Sequence, residues 1–337
     1  MFKILIFIGA FFSVSSLAFE STKADLDQHF EISGTHSVVV YHKGQVKYQF
    51  GAVHERVLVH SIRKALLNSL FGIYVEKGQI DLSSTLAELN IDDVQNLTAD
   101  EKQATIADIL KSRSGVYHDS AATSEQMRSW LPPRGTYKRN EHYVYNNWDF
   151  NVAGYIFESL TKISIYDAFN RHIATPLGMK SYTNNIKTIS AFEELDMSNL
   201  DGFYQYEKSR SKYPAYHFRL SAHDLALYGQ LYLQNGKWQD KSIIPKNWIE
   251  LSTSSYSNTN SYMDFGYGML WNVMKVGSKR NVKAFFHTGV GIHMLAIYPE
   301  HDLVFVHRVN TESKQNFNQK DLYKGIGLVF QHVKNAD

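Results

Sequence analysis

A serine followed three residues later by a lysine brings a hydroxyl and an amine to one face of a helix, a single turn apart. Ser61-Ile62-Arg63-Lys64 has this pattern at the head of a strongly apolar stretch. A serine hydroxyl is a poor nucleophile until a base within hydrogen-bond reach takes its proton, and a lysine can do so only as the neutral amine. Free lysine titrates near ~10.4, so burial and the positive end of a helix would have to draw it down. A serine that opens a helix also carries a backbone N–H without an intrahelical partner. Nucleophile, base and donor then fall in one place. Ser159-Leu160-Thr161-Lys162 and Ser209-Arg210-Ser211-Lys212 repeat the spacing, the first where a helix runs out and the second in a polar, charged loop.

Two later stretches could complete such a site. In Tyr143-Val144-Tyr145-Asn146-Asn147-Trp148-Asp149-Phe150, the Tyr145 hydroxyl is suited to relaying a proton, and the Asn147 amide to holding a lysine and a substrate carbonyl. Tyr-x-Asn recurs at Tyr182 and Tyr256, where the ordinary reading is a turn. His287-Thr288-Gly289 occurs once, between two strand-like runs. Glycine there lets a substrate approach the backbone, and the N–H of Val290 is a second candidate oxyanion donor.

These residues need a scaffold. Apolar residues at 62, 66, 70, 73 and 74 have the period of a helix buried on most of its circumference, with Gly78 as its stop. Residues 35–53 read as a hairpin turning at Lys43-Gly44, and 283–286, 292–298 and 303–307 as three more strands. One antiparallel sheet made from both ends of the chain is the simplest pairing, covered by an amphipathic segment over 320–333. The text between is mostly helical, with helices expected over 104–112, 151–160, 165–173 and 222–234. Residues 185–212 and 252–260 are polar enough to read as long surface loops. The expected architecture is α/β (mixed α+β), an antiparallel sheet flanked by helices with a mainly helical domain inserted. Residues 19–60 and 262–337 would form the sheet domain and 61–261 the helical one, with the active site at their interface.

Composition narrows the function. Lys+Arg 35 against Asp+Glu 33, without a basic run, gives nucleic acid nothing to bind. Zero cysteines rule out thiol nucleophiles, thiolate metal sites and disulfides. No cofactor is implied, and His54, Glu55 and His60 are wrongly spaced for a two-histidine zinc helix. Lys3, the apolar run Ile4 to Val14 and Ser16-Leu17-Ala18 read as a signal peptide over 1–18, so export to the periplasm or medium is expected, without stable membrane insertion. No Gly-x-Ser-x-Gly elbow supports an α/β-hydrolase.

Taken together, Ser61/Lys64, Tyr145/Asn147 and His287/Thr288/Gly289 resemble the three motifs of the serine β-lactamase and penicillin-recognising superfamily. The likeness is to the class C β-lactamase-like branch, which also holds D-amino-acid peptidases, esterases and 6-aminohexanoate-dimer-type amidases. It extends over most of the chain, through Ser114-Gly115-Val116-Tyr117-His118, Gly154, Asn235-Gly236, Pro245 and Gly266-Tyr267-Gly268 with Trp271. The resemblance implies a β-lactamase/transpeptidase-like fold and a serine hydrolase acting on a small molecule or peptide with an amide or ester carbonyl. Ser61 would form an acyl-enzyme, Lys64 and Tyr145 would manage its proton, the N–H groups of Ser61 and Val290 would hold the oxyanion, Asn147 the substrate amide, and His287 with Thr288 the far rim. Two positions depart from the pattern: His287 stands where many β-lactam-hydrolysing relatives carry lysine, and Arg139-Asn140-Glu141 where many have Pro-Gly-Thr. Both weigh against antibiotic hydrolysis and leave the nucleophile in place. The competing reading is a noncatalytic penicillin- or peptide-binding or sensor module of the same fold, which a break in any of the three motifs would favour.

Overall fold

Val38, Val39 and Val40 are all fully buried, which a strand achieves only when both faces of its sheet are covered. The computed structural model describes residues 9–191, 196–277, 282–313 and 317–335, with side chains from Glu20 onward. In it, β1 (Ser37–His42) and β2 (Gln45–Gly51) form a hairpin, and β1 pairs on its other edge with β14 (Leu303–Arg308). The sheet continues through β13 (His293–Tyr298), β12 (Ala284–Gly289), β11 (Asn272–Met274), β10 (Phe265–Tyr267) and β9 (Ser257–Asn260), antiparallel throughout. The period of two sorts its side chains between two cores. Val39, Leu295, Ile297, Val304 and Val306 face the helical side, while Val38, Val40, Met294, Ala296 and Phe305 face α1 (Gly9–Ile32) and α10 (Gln319–Asn335).

On the helical side, α2 (Arg63–Glu76) is buried at every residue from Arg63 to Tyr74. It is packed among α5 (Asn147–Thr161), α6 (Ile165–Phe169) and α9 (Lys246–Ser252), while α8 (Ala222–Leu233) lies against the sheet. Shorter helices α3 (Ile106–Leu110), α4 (Glu125–Trp130) and α7 (Thr175–Leu177) complete this layer. Strands β3 (Val57–Leu58), β4 (Ile186–Ser190), β5 (Gly202–Tyr206) and β6 (Ala215–Leu220) make a second sheet in the order β3-β6-β5-β4, and β7 (Lys237–Trp238) with β8 (Lys241–Ser242) a small hairpin. The fold is mixed α+β with a large antiparallel sheet, as expected from the sequence.

Two of the expected loops are corrected. Residues 185–212 contain β4 and β5, and 252–260 contain β9. β4 and β9 carry polar side chains on their exposed positions and so lack the apolar alternation by which strands are read, whereas β5 is a short aromatic run, Phe203, Tyr204 and Tyr206, inside an otherwise polar stretch. The expected helix over 165–173 continues through a wide turn at Asn170–Ala174 into α7. Of the expected leader, residues 1–8 lie outside the described residues, and the following residues run into α1, whose Leu26 and Phe30 are fully buried. Among the described residues no helix is long and apolar enough to cross a membrane.

Candidate active site

The chain reaches Ser61 through a tightly held segment. Val59 N–H donates to Phe218 O at 2.9 Å and Leu58 N–H to Glu312 Oε1 at 2.8 Å. The fully buried Arg308 binds Val57 O at 2.8 Å, Leu58 O at 2.9 Å and Leu220 O at 2.7 Å, and its Nε donates to His293 Nδ1 at 3.0 Å. His60 follows with φ +49, a left-handed conformation that a non-glycine residue adopts at a cost. Its ring is fixed by Thr311 Oγ1 at 2.7 Å from Nε2 and by His293, 5.2 Å between centroids. This kink starts the single 3-10 turn His60–Ile62, so Ser61 sits just ahead of α2 rather than as its first residue. Among the described residues the Ser61 N–H has no acceptor.

Lys64 lies one turn on, with Nζ 3.0 Å from Ser61 Oγ. It is 1% exposed, its Nζ stands 4.4 Å from the Phe150 ring centroid and 4.9 Å from that of Tyr145, and among the described residues no carboxylate lies within 4 Å. Burial first, and the neighbouring Arg63 charge second, hold its amine well below the usual lysine range. The Ser61 hydroxyl also reaches the Tyr145 hydroxyl, whose proton burial pushes up to about 12 against the opposing pull of that hydrogen bond and of Arg63. Ser61 itself is half-buried and therefore reachable from solvent.

The third stretch arrives along β12. β11 pairs with it only as far as Phe286, so from His287 onward that edge of β12 has no strand beside it. His287 is buried; its Nδ1–H donates to Thr288 O at 2.9 Å, which leaves Nε2 as a lone-pair acceptor without a protein partner. Desolvation, followed by the Lys64 charge, lowers its titration to about 3. The ring is neutral near pH 7. Thr288 and Val290 are exposed, and among the described residues the Val290 N–H makes no hydrogen bond. Gly289 lets β12 lie against the nucleophile segment, because a methyl group there would stand 2.8 Å from Val59 O and 3.1 Å from His60 Cβ.

The structure thus brings Ser61, Lys64 and Tyr145 into direct contact and sets the end of β12 beside them. Asn147 is placed differently. Asn146 caps α5, its side chain accepting from Trp148 N–H and donating to Val116 O, while Asn147 Nδ2 donates to Ala122 O at 2.7 Å. Its amide is thus tied to the 119–125 segment. Sequence reasoning passed over Arg63, Arg308 and Glu312, because a lone arginine or glutamate reads as a solvated charge. A polar residue inside an otherwise apolar helix was the available signal for Arg63. Among the described residues no group of three or more His, Cys, Asp or Glu could hold a metal ion.

Comparison with known proteins fixes the class. The Beta-lactamase family model matches residues 27–326, and the chain belongs to that family. Similar solved structures include an octameric penicillin-binding protein homologue from Pyrococcus abyssi, at 19% identity and TM-score 0.66, over 92% of this chain and 77% of that one. A D-stereospecific amidohydrolase from Streptomyces sp. aligns at 15% identity and TM-score 0.65, over 91% and 97% of the two chains. EstCE1, described as a hydrolase with promiscuous acyltransferase activity, aligns at 13% identity and TM-score 0.67, over 94% and 100%. No curated protein matches the chain.

Proposed function

We propose that this chain is an exported serine hydrolase that opens an ester or amide bond through an acyl-enzyme on Ser61, in a groove between a sheet domain (19–60 and 262–337) and a helical domain (61–261). The observation that carries this reading is the 3.0 Å approach of Lys64 Nζ to Ser61 Oγ in a buried pocket with no carboxylate within 4 Å among the described residues, where burial holds the amine well below the usual lysine range. Ser61 Oγ attacks the carbonyl carbon and Lys64 accepts its proton, while the N–H groups of Ser61 and Val290 hold the oxyanion. Tyr145 passes the proton to the leaving nitrogen or oxygen as its bond to carbon breaks. Water then hydrolyses the ester left on Ser61. His287 and Thr288 line the substrate, with Gly289 allowing its approach to β12, while Asn147, bound through Nδ2 to Ala122 O, leaves only its Oδ1 for a substrate amide. Membership of the Beta-lactamase family and hydrolases among the structural neighbours support the same reading.

Covalency tests it. A fluorophosphonate or a fluorescent penicillin should add its mass to the wild type and not to Ser61→Ala. Equal labelling of both proteins, or no labelling of the wild type by any serine probe, would overturn the nucleophile and favour a noncatalytic binding module.

A further inference from the structure

Lys64 is not the only buried cation at the head of α2. Its neighbour Arg63 is 3% exposed, and no carboxylate lies within 4 Å of it among the described residues. The guanidinium lies 4.7 Å from the Tyr216 ring centroid, its Nη2 makes one long hydrogen bond to Asn151 Oδ1 at 3.4 Å, and its Nη1 has no protein partner. A buried arginine is usually met by carboxylates or by several carbonyls, as Arg219 is by Glu312, Leu200 O and Arg56 O. Arg63 has neither.

The groups facing Lys64 do not offset that charge. From its own segment come Ser61, His60 and Arg63; from residues 145–150, Tyr145 and Phe150; from β12, His287; and from β6, His217, with Tyr216 against Arg63. The tyrosines keep their protons, and burial holds the three histidines neutral at pH 7. Arg63 brings a guanidinium into the same buried cluster, on the residue next to Lys64. Two like charges buried on successive residues in a medium of low polarity cannot both persist cheaply, and an amine gives up its proton more readily than a guanidinium.

We propose that Arg63 is a positioning residue for the base: its charge, buried beside Lys64 with no carboxylate to offset it, keeps Lys64 as the neutral amine that must receive the Ser61 proton. This rests on the reading of Ser61 and Lys64 as nucleophile and base. The site then needs no second catalytic lysine, and the neutral His287 leaves Arg63 to supply the field.

The test follows the rate of Ser61 phosphonylation by a fluorophosphonate from pH 5 to 10, in wild type, Arg63→Gln and Arg63→Met. Removing the charge should raise the midpoint of the rise in rate by about one pH unit or more, the scale set by one unit charge at side-chain distance. A purely structural role would lower the rate at every pH and leave the midpoint where it was; that outcome in a folded variant overturns the proposal. Asn151→Asp supplies a route that keeps Arg63, because a carboxylate placed against the guanidinium should move the midpoint upward too. Carbon-13 NMR of the lysine Cε atoms, with Lys64 assigned by comparison with Lys64→Ala, reads the amine directly in wild type and Asn151→Asp. A Lys64 midpoint in the ordinary lysine range, or one unmoved by Asn151→Asp, overturns the proposal whether or not the Arg63 variants fold. If Ser61 is never labelled, the hydrolase reading fails by itself, and the NMR titration still decides whether Arg63 governs Lys64.

Discussion

One helix carries two buried polar clusters, four residues apart, that are built on opposite terms. At Asn68, in the middle of α2, Oδ1 accepts from Tyr232 Oη at 2.7 Å, Trp248 Nε1 at 3.2 Å and Trp271 Nε1 at 3.3 Å, while Nδ2 donates to Met269 O at 2.8 Å. Every strong group is matched, and α2 is thereby tied to α8, α9 and the segment entering β11. At the head of the helix, Arg63 and Lys64 are equally buried but meet aromatic faces and a serine, and His60 sits in a costly backbone conformation. A satisfied network stabilises; an unsatisfied one is stable only if the surrounding fold holds it. The contrast separates the end of α2 that serves architecture from the end to which the proposed function assigns the chemistry.

The largest expected effect lies at the reactive end. Lys64→Ala removes the proton acceptor without touching the Asn68 network, so hydrolysis of p-nitrophenyl butyrate should fall ~10²- to 10⁴-fold while thermal melting stays near that of the wild type. A variant that melts normally and keeps more than about a tenth of the rate would show that Lys64 is not the base.

Asn68→Ala inverts that pattern. It strands the Tyr232 hydroxyl and two indole N–H groups in the core, each worth about 1–3 kcal/mol when left unpaired, so urea unfolding should show a loss of about 3 kcal/mol or more. Activity per folded molecule should be close to wild type. If activity falls as steeply as stability, the two clusters are coupled and the contrast between them fails.

How far the sequence carries the reader follows the same divide. The apolar spacing of α2 and the order of the three motifs were legible because each is a local pattern, and the pairing of both chain ends followed from β-rich runs that had no other partners. The fate of individual polar residues was not. Arg63 and Asn68 are buried by Tyr216, Tyr232, Trp248 and Trp271, which arrive from 150 to 200 residues away in the chain. Nothing local announces those contacts. Likewise β4 and β9 are strands because neighbours pair with them, and their own side chains carry little apolar signal.

A smaller effect is expected where β12 meets the kinked segment. Gly289→Ala would press its methyl on Val59 O and His60 Cβ and so shift the adjoining Val290, whose N–H is the proposed second oxyanion donor. A displaced donor weakens rather than disappears, so kcat/KM should drop about tenfold, short of the ~10²- to 10³-fold cost of losing an oxyanion donor outright. An unchanged rate would remove Val290 from the oxyanion site.

The smallest effect has an unusual sign. Lys64 titrates well below the usual lysine range in the folded protein, whereas in the unfolded chain it is protonated below ~10.4. Below that pH the unfolded state binds the extra proton, so the depressed amine subtracts from stability. The loss is complete below the folded titration point, shrinks as pH rises from there, and vanishes above the unfolded one. Lys64→Met keeps most of the side-chain length and its contacts with Phe150 and Tyr145 while deleting the ionisable group. Replacing poorly paired buried charge with an apolar group of similar volume is often neutral or stabilising, so the variant should gain about 1 kcal/mol at pH 7. That gain should fade as the same unfolding experiment is moved toward pH 10. Asn68→Ala carries no titrating group, and its loss should be the same at both pH values. A Lys64→Met protein that is less stable than wild type at pH 7, or whose difference from wild type does not change with pH, would mean that Lys64 is charged and well accommodated in the fold.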